Sequence, residues 1–229
     1  MEILILGERA KAEELIEILP PSISYKYSTN PNDASLPKYG IIFDLNFDDS
    51  FDNLQYYGYS HKTVFVGAVK KQLAESVAEY HTDVRCRLIG INSLPTFINR
   101  SLIELSLLNE AHRQEVVGIC KQLEWNYKIV ADRVGMVTPR IILMIINEAC
   151  YTLQEGTAGT EEIDEAMKLG ANYPYGPFEW ADKIGIAHVY ETLLAIYEDT
   201  KDPRYKICPL LKTKYLNAEP FFIKPTTIE

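Results

Sequence analysis

Gly7, Glu8, Arg9 and Ala12 stand where an apolar run (Ile3–Leu6) gives way to a helical pattern from Arg9. A strand, a glycine turn and a helix form the cradle in which dinucleotide-binding domains hold a pyrophosphate. In G-x-G-x-x-G the first glycine makes the turn, the second lets the backbone approach the phosphate, and the third lets helix pack on strand. Here that register reads Gly7, Arg9 and Ala12. The Arg9 side chain leaves the Cα that has to lie against the pyrophosphate. Glu8 sets a carboxylate at the helix N-terminus, where it can satisfy the open N–H groups itself. A guanidinium that swings outward would instead grip a phosphate. An acid after the second strand should hold the ribose hydroxyls, and the first one after "SYKYST" is Asp33, a loop late.

Other chemistries are less well supplied. Cys86, Cys120, Cys150 and Cys208 lie far apart and form no CxxC pair, which points to buried reduced thiols rather than a disulfide framework or a metal site. The net charge of −9, with no basic stripe, argues against a nucleic-acid partner. No basic leader with an apolar stretch opens the sequence, and the longest apolar run, Ile141–Ile146, is too short to span a bilayer. The expectation is a cytoplasmic protein without a membrane segment or a metal.

The elements that must position these residues follow from periodicity. The 229 residues suffice for one large or two modest domains. Strands are expected at Glu2–Leu6, Ile23–Tyr27, Gly40–Leu45, Thr63–Val66, Arg87–Ile91 and Lys128–Ala131, with helices at Arg9–Ile18, Val69–Tyr80 and Ala111–Leu123. Such interleaving implies βαβ units and a mostly parallel sheet. Lys70 and Lys71 then fall on a solvated helix face, from which they could also meet a phosphate. From Val134 the pattern is helical, so the expected division is an α/β domain over 1–131 and an all-helical domain over 132–229. Ile141–Leu153 reads as a helix buried nearly all round in its first turns. Gly156 and Gly170 read as helix C-caps, Thr160 as an N-cap, and Asp202 as the cap of a final helix that begins at Pro203.

Residues 134–216 resemble the C-terminal domain of the 3-hydroxyacyl-CoA dehydrogenases. "NEA", "EG", "ID.AMKLG" and "P.GPFE.AD..G" occur in the family's order and spacing. The resemblance implies an α/β Rossmann-like NAD-binding domain, here trimmed, followed by an all-α 6-phosphogluconate-dehydrogenase-like domain that forms a homodimer. Gly176, Pro177 and Asp182 belong to a block that can persist for packing and dimer contacts rather than chemistry. The connection from Ser28 to Tyr39 is short, where family members carry a helical extension that helps cover the CoA substrate.

"RLIGINSLPTFINRSLIELS" aligns with the family stretch of the form R-x-x-G-x-H-F-F-N-P…L-V-E. The family oxidises a 3-hydroxyacyl-CoA to the 3-ketoacyl thioester with NAD. A histidine takes the hydroxyl proton and a glutamate orients it. In this chain the histidine position is Asn92 and the glutamate position is Glu104. A carboxamide does not titrate and cannot serve as a general base. Glu104 is then a vestige, or an ordinary charge near a strand end. The family's asparagine at the start of the long helix is Pro139, which has no donor, although it suits a first helical position behind Thr138 as cap. His61, His81, His112 and His188 match no catalytic position of the family. The resemblance therefore implies a catalytically degraded member, acting as a dimeric binding or regulatory protein of acyl-CoA (fatty-acid) metabolism for an acyl-CoA or a nucleotide. Its alternatives are an active NAD-dependent 3-hydroxybutyryl-CoA dehydrogenase with a rearranged site and a structural partner of an active homologue.

Overall fold

The structure is a computed structural model in which residues 1–33, 35–80 and 83–222 are described; His81 lies outside them. The chain divides into two units, Met1–Val137 and Thr138–Glu229.

The first unit is built on β1 (Glu2–Leu6), β2 (Ser24–Ser28), β3 (Ile41–Asp44), β4 (Thr63–Gly67), β5 (Arg87–Ile91), β6 (Ile103–Leu107) and β7 (Tyr127–Val130). They hydrogen-bond in the order β2-β1-β3-β4-β5-β6-β7. All pairs are parallel except β5 with β6. Ile3–Leu6 is almost wholly buried, as a central parallel strand covered on both faces must be. Strand β6 was not expected from the sequence. Its apolar run is interrupted by Glu104 and Ser106, and both are buried.

Helices α1 (Arg9–Glu17), α2 (Leu54–Tyr57), α3 (Leu73–Tyr80) and α4 (Arg113–Gln122) accompany the sheet. One core joins Ala12, Leu15, Val116 and Trp125 to Phe43 and Phe65. The two phenylalanine rings stack at 4.7 Å, with Trp125 edge-on to both. A second core joins Leu4, Leu6, Val64 and Val66 to Phe47, Leu54 and Leu73.

Helix α3 begins at Leu73, not at Val69. The Asp132 carboxylate accepts the N–H groups of Leu73 (2.9 Å) and Ala74 (3.1 Å) at its start. Asp48 accepts those of Val69 (2.8 Å) and Lys70 (2.8 Å) just before it. Lys70 and Lys71 therefore precede the helix and are not a solvated face of it. Lys70 Nζ lies 2.6 Å from Asp49 with 11% of its side chain exposed, and Lys71 pairs with Glu79. Gly135 donates to the Val69 carbonyl and Val137 to Glu104, so residues 132–137 run with the sheet unit and the division falls between Val137 and Thr138 rather than at 131/132.

The second unit comprises α5 (Thr138–Gln154), α6 (Thr160–Ala171), α7 (Pro177–Ile184), α8 (Ile186–Thr200) and α9 (Pro209–Asn217). Helix α5 buries Ile142, Leu143, Ile146 and Cys150 but leaves Ile141 56% exposed, so it is amphipathic and not buried all round. Gly156, at φ +73°, does end it in the left-handed region. Gly170 lies inside α6, and Asn172 at φ +55° is the left-handed cap instead. Thr160 is the first residue of α6 and Gly159 its N-cap, with no side-chain cap bond. Asp202 does accept the Arg204 N–H (3.0 Å), but only a single 3-10 turn (Pro203–Tyr205) follows. Pro209 splits the expected last helix, because the residue before a proline is pushed out of the helical region; Cys208 has ψ 131°.

Three polar residues of this unit hold backbone. Asp164 on α6 accepts the first N–H groups of α7, from Phe178 (2.8 Å) and Glu179 (2.9 Å). A Cβ on Gly176 would lie 2.2 Å from the Asp164 Cγ, so that position takes only glycine. Asn147 donates to the Lys206 carbonyl (3.0 Å) and accepts from the Cys208 N–H (2.9 Å). Asp182 accepts from Phe221 and Phe222, both at 2.8 Å.

Candidate functional site

Strand β1 lies between β2 and β3, so the chain leaves it in opposite directions along the sheet. Open α/β sheets bind ligands at such a switch point, beyond the carboxyl ends of the strands. A cavity of about 280 Å³ occupies that place, lined by Gly7, Glu8, Thr29, Asp44, Asn46, Ser50 and their neighbours.

Gly7 makes the turn into α1 at φ +136°, a conformation that only glycine adopts readily. Its N–H donates to the Ser28 carbonyl (3.3 Å), and its own carbonyl accepts from the Tyr27 hydroxyl (3.2 Å). Ala12 is 1% exposed and packs in the core, so alanine serves where the third glycine would lie. Pairing of β1 with β3 runs past Asp44: the Leu45 N–H donates to the Leu6 carbonyl (2.9 Å). That register brings Asn46 against the turn. Asn46 Oδ1 accepts the Glu8 N–H (3.1 Å), and its Nδ2 donates to the Glu8 carboxylate (3.4 Å). A Cβ on Gly7 would lie 3.0 Å from the same Oδ1.

Glu8 therefore does not satisfy the helix N-terminus as the sequence suggested. It is the N-cap residue of α1 with no side-chain cap bond, and its carboxylate faces Asn46 instead. Arg9 does not reach toward a phosphate either. Its Nε lies 2.7 Å from Glu13, one turn along α1, in solvent. Asp33 turns to Ser35 (2.5 Å) and Lys26 (2.9 Å), which hold its carboxyl far below the usual range. It is not among the cavity walls.

Asp44 and Asn46 were not singled out from the sequence. The signal available was "FDLN", a polar break at the carboxyl end of an apolar strand. Asp44 is 1% exposed and accepts from Asn53 (2.8 Å), Tyr57 (2.9 Å) and the Asn46 N–H (3.2 Å). Burial pushes its carboxyl up, against the pull of those bonds and of Lys11. Lys11 is itself buried, with Nζ 3.3 Å from the Leu45 carbonyl and 3.8 Å from Asp49. A pyrophosphate needs open donors. At this turn the Glu8 N–H is occupied and two carboxylates stand in the wall, so the residues present do not fit the diphosphate of NAD.

Asn92 and Glu104 are brought together at the ends of β5 and β6. Ile91 is paired with Leu105, and the Asn92 N–H donates to the Glu104 carbonyl (3.4 Å). Both side chains are buried, so Glu104 is no ordinary strand-end charge. Its Oε2 accepts the Val137 N–H (3.2 Å). Asn92 Oδ1 accepts the Leu94 N–H (3.4 Å), a local turn that starts the loop between the two strands. Pro139 lies in the other unit, buried in the first turn of α5, which begins at Thr138. All four cysteines are buried and free, with burial pushing the thiols of Cys86 and Cys120 up to about 12. Among the described residues no helix is long and apolar enough to cross a membrane.

Residues 135–220 match the family model of the 3-hydroxyacyl-CoA dehydrogenase C-terminal domain. A 3-hydroxybutyryl-CoA dehydrogenase of Bradyrhizobium diazoefficiens is 38% identical over 144 residues, 60% of this chain and 47% of that protein. A probable 3-hydroxybutyryl-CoA dehydrogenase of Bacillus subtilis is 35% identical over 135 residues, 58% of this chain and 47% of that protein. The chain thus spans about half the length of these relatives. The crystal structure of an (S)-3-hydroxybutyryl-CoA dehydrogenase from Ralstonia eutropha shares the fold, with a TM-score of 0.73 at 20% identity, covering 98% of this chain and 99% of that one.

Proposed function

The chain belongs to the 3-hydroxyacyl-CoA dehydrogenase family, and from that premise we propose that it binds a ligand, an acyl-CoA or a nucleotide, without transferring hydride. It acts as a homodimeric regulatory protein of acyl-CoA metabolism. One observation carries the reading: the position of the family's base is Asn92, beside Glu104, with its carboxamide turned to the Leu94 N–H. A carboxamide does not titrate and cannot take the hydroxyl proton. Pro139 and the Asn46-filled turn support the same reading from separate elements. Exposed Ile141 (56%) and Leu169 (78%) on the helical unit support self-association.

The test is reduction of acetoacetyl-CoA by NADH. The expected rate is that of the protein-free blank, and turnover at ordinary dehydrogenase rates would sink the reading. Asn92→His should not rescue it, because the polarising donor and the diphosphate seat are missing too; a rescued rate would put the whole loss at one residue. Light scattering should give twice the chain mass. A monomer that co-purifies with an active homologue would favour the structural-partner reading.

The competing reading is a dehydrogenase with a rearranged site. Buried Glu104 favours it, since a carboxylate kept at that position could still orient another group. That reading requires NAD to bind, so calorimetry silent at millimolar NAD and NADH counts against it.

A further inference from the structure

The switch-point cavity keeps its volume while its chemistry runs opposite to that of a phosphate site. Its Glu8 N–H is already given to Asn46, and the Asn53 amide is given to Asp44. What it leaves to a ligand is acceptor-rich: the Glu8 carboxylate, held among the described residues by the 3.4 Å contact to Asn46, and the hydroxyls of Thr29 and Ser50, while the Asp44 carboxylate lies buried behind them with its oxygens taken by Asn53, Tyr57 and the Asn46 N–H. No lysine, arginine or histidine lines it. The Lys11 ammonium, buried against the Leu45 carbonyl and near enough to Asp44 to pull on its carboxyl, offsets part of the attraction that the carboxylates exert on a cation. A phosphoryl group brought here would lose its water, meet two carboxylates and find the turn N–H occupied. A hydroxyl-bearing neutral molecule meets acceptors it can donate to.

We propose that this crevice binds a small uncharged ligand through its hydroxyl groups and rejects phosphorylated forms of it, with Glu8 and Asn46 setting that preference. The inference rests on the reading of the chain as a binding protein and narrows it: a nucleotide or an acyl-CoA is not held through its phosphates in this crevice, which takes the uncharged, hydroxyl-bearing part of a ligand.

The test is calorimetry of the full chain with adenosine, AMP and ADP, which differ only in charge at one end. Adenosine should bind, AMP at least about tenfold more weakly, and ADP more weakly still. Raising the salt concentration should narrow the difference. Glu8→Gln removes one carboxylate from an exposed position and should narrow the gap between adenosine and AMP by about threefold or more. Asn46→Gly frees the Glu8 N–H and should narrow it further; melting curves confirm that each variant is folded. ADP binding as tightly as adenosine, or adenosine silent at millimolar concentration in the folded protein, overturns the proposal. An unchanged gap in folded Glu8→Gln overturns the role given to Glu8. NADH-dependent turnover measured in parallel tests the non-catalytic reading separately: silence toward adenosine with no turnover removes only this inference.

Discussion

The helical unit and the sheet unit use their polar residues differently. In the helical unit Asn147, Asp164 and Asp182 each hold backbone groups at the joints between elements. All three lie within the stretch that matches the family model. In the sheet unit the positions that would carry chemistry hold Arg9, Asn92 and a turn filled by Asn46. The strands there remain regularly paired regardless, the central ones buried. A match over a helical domain thus measures hydrogen-bond requirements of the fold. A buried N–H left without a partner costs stability whatever the activity, whereas a change of residue type in a binding crevice need not.

The largest expected effect follows directly. Asp164→Ala uncaps α7 and leaves the buried Phe178 N–H and the half-buried Glu179 N–H open, with an expected loss of roughly 2–3 kcal/mol in urea unfolding of the full chain. A loss below about 0.5 kcal/mol would mean that the matched residues of the helical unit are not structural, and the contrast would fail. Asn147→Ala removes a donor and an acceptor from the segment before α9 and should cost roughly 1–2 kcal/mol by the same measurement. Faster amide exchange at Cys208 should accompany it.

Asp44→Asn sharpens the sheet side of the contrast. Burial raises the carboxyl of Asp44 in the folded state, so the folded protein holds that proton more tightly than the unfolded chain. Its contribution to stability is therefore best in acid and declines as pH rises through the ordinary carboxylate range to the raised value. The stability of Asp44→Asn relative to the parent should rise with pH across that window and then level off. A relative stability that falls with pH there would reverse the assignment. The smallest effect belongs to Arg9→Ala. Its pair with Glu13 lies in solvent, so melting temperature and adenosine affinity should both stay within error of the parent. A clear loss of nucleotide affinity would return Arg9 to the site.

Much of the fold is legible in the sequence because its signals are local. Ile3–Leu6 is apolar throughout and can only be a buried strand, and Gly7 marks the turn that follows. Strand β6 was missed because buried Glu104 and Ser106 break the pattern, and a partner of Glu104, the backbone N–H of Val137, lies far along the chain. The four-residue shift in the start of α3 from expectation has the same origin, since its cap, Asp132, is supplied from beyond β7.

The sequence by itself determined the strands and helices of the sheet unit apart from β6 and the short helical turns, and the residue types at two positions, a carboxamide that does not titrate at Asn92 and a proline without a donor at Pro139, because side-chain chemistry is fixed by residue type. Tertiary structure alone decided what Glu8 does. Asn46 reaches the turn from 38 residues away through the pairing of β1 with β3, and no local pattern encodes that meeting. It is the sheet register that places a carboxamide on the Glu8 N–H, whereas the pair of Arg9 with Glu13 is a local contact one turn along α1.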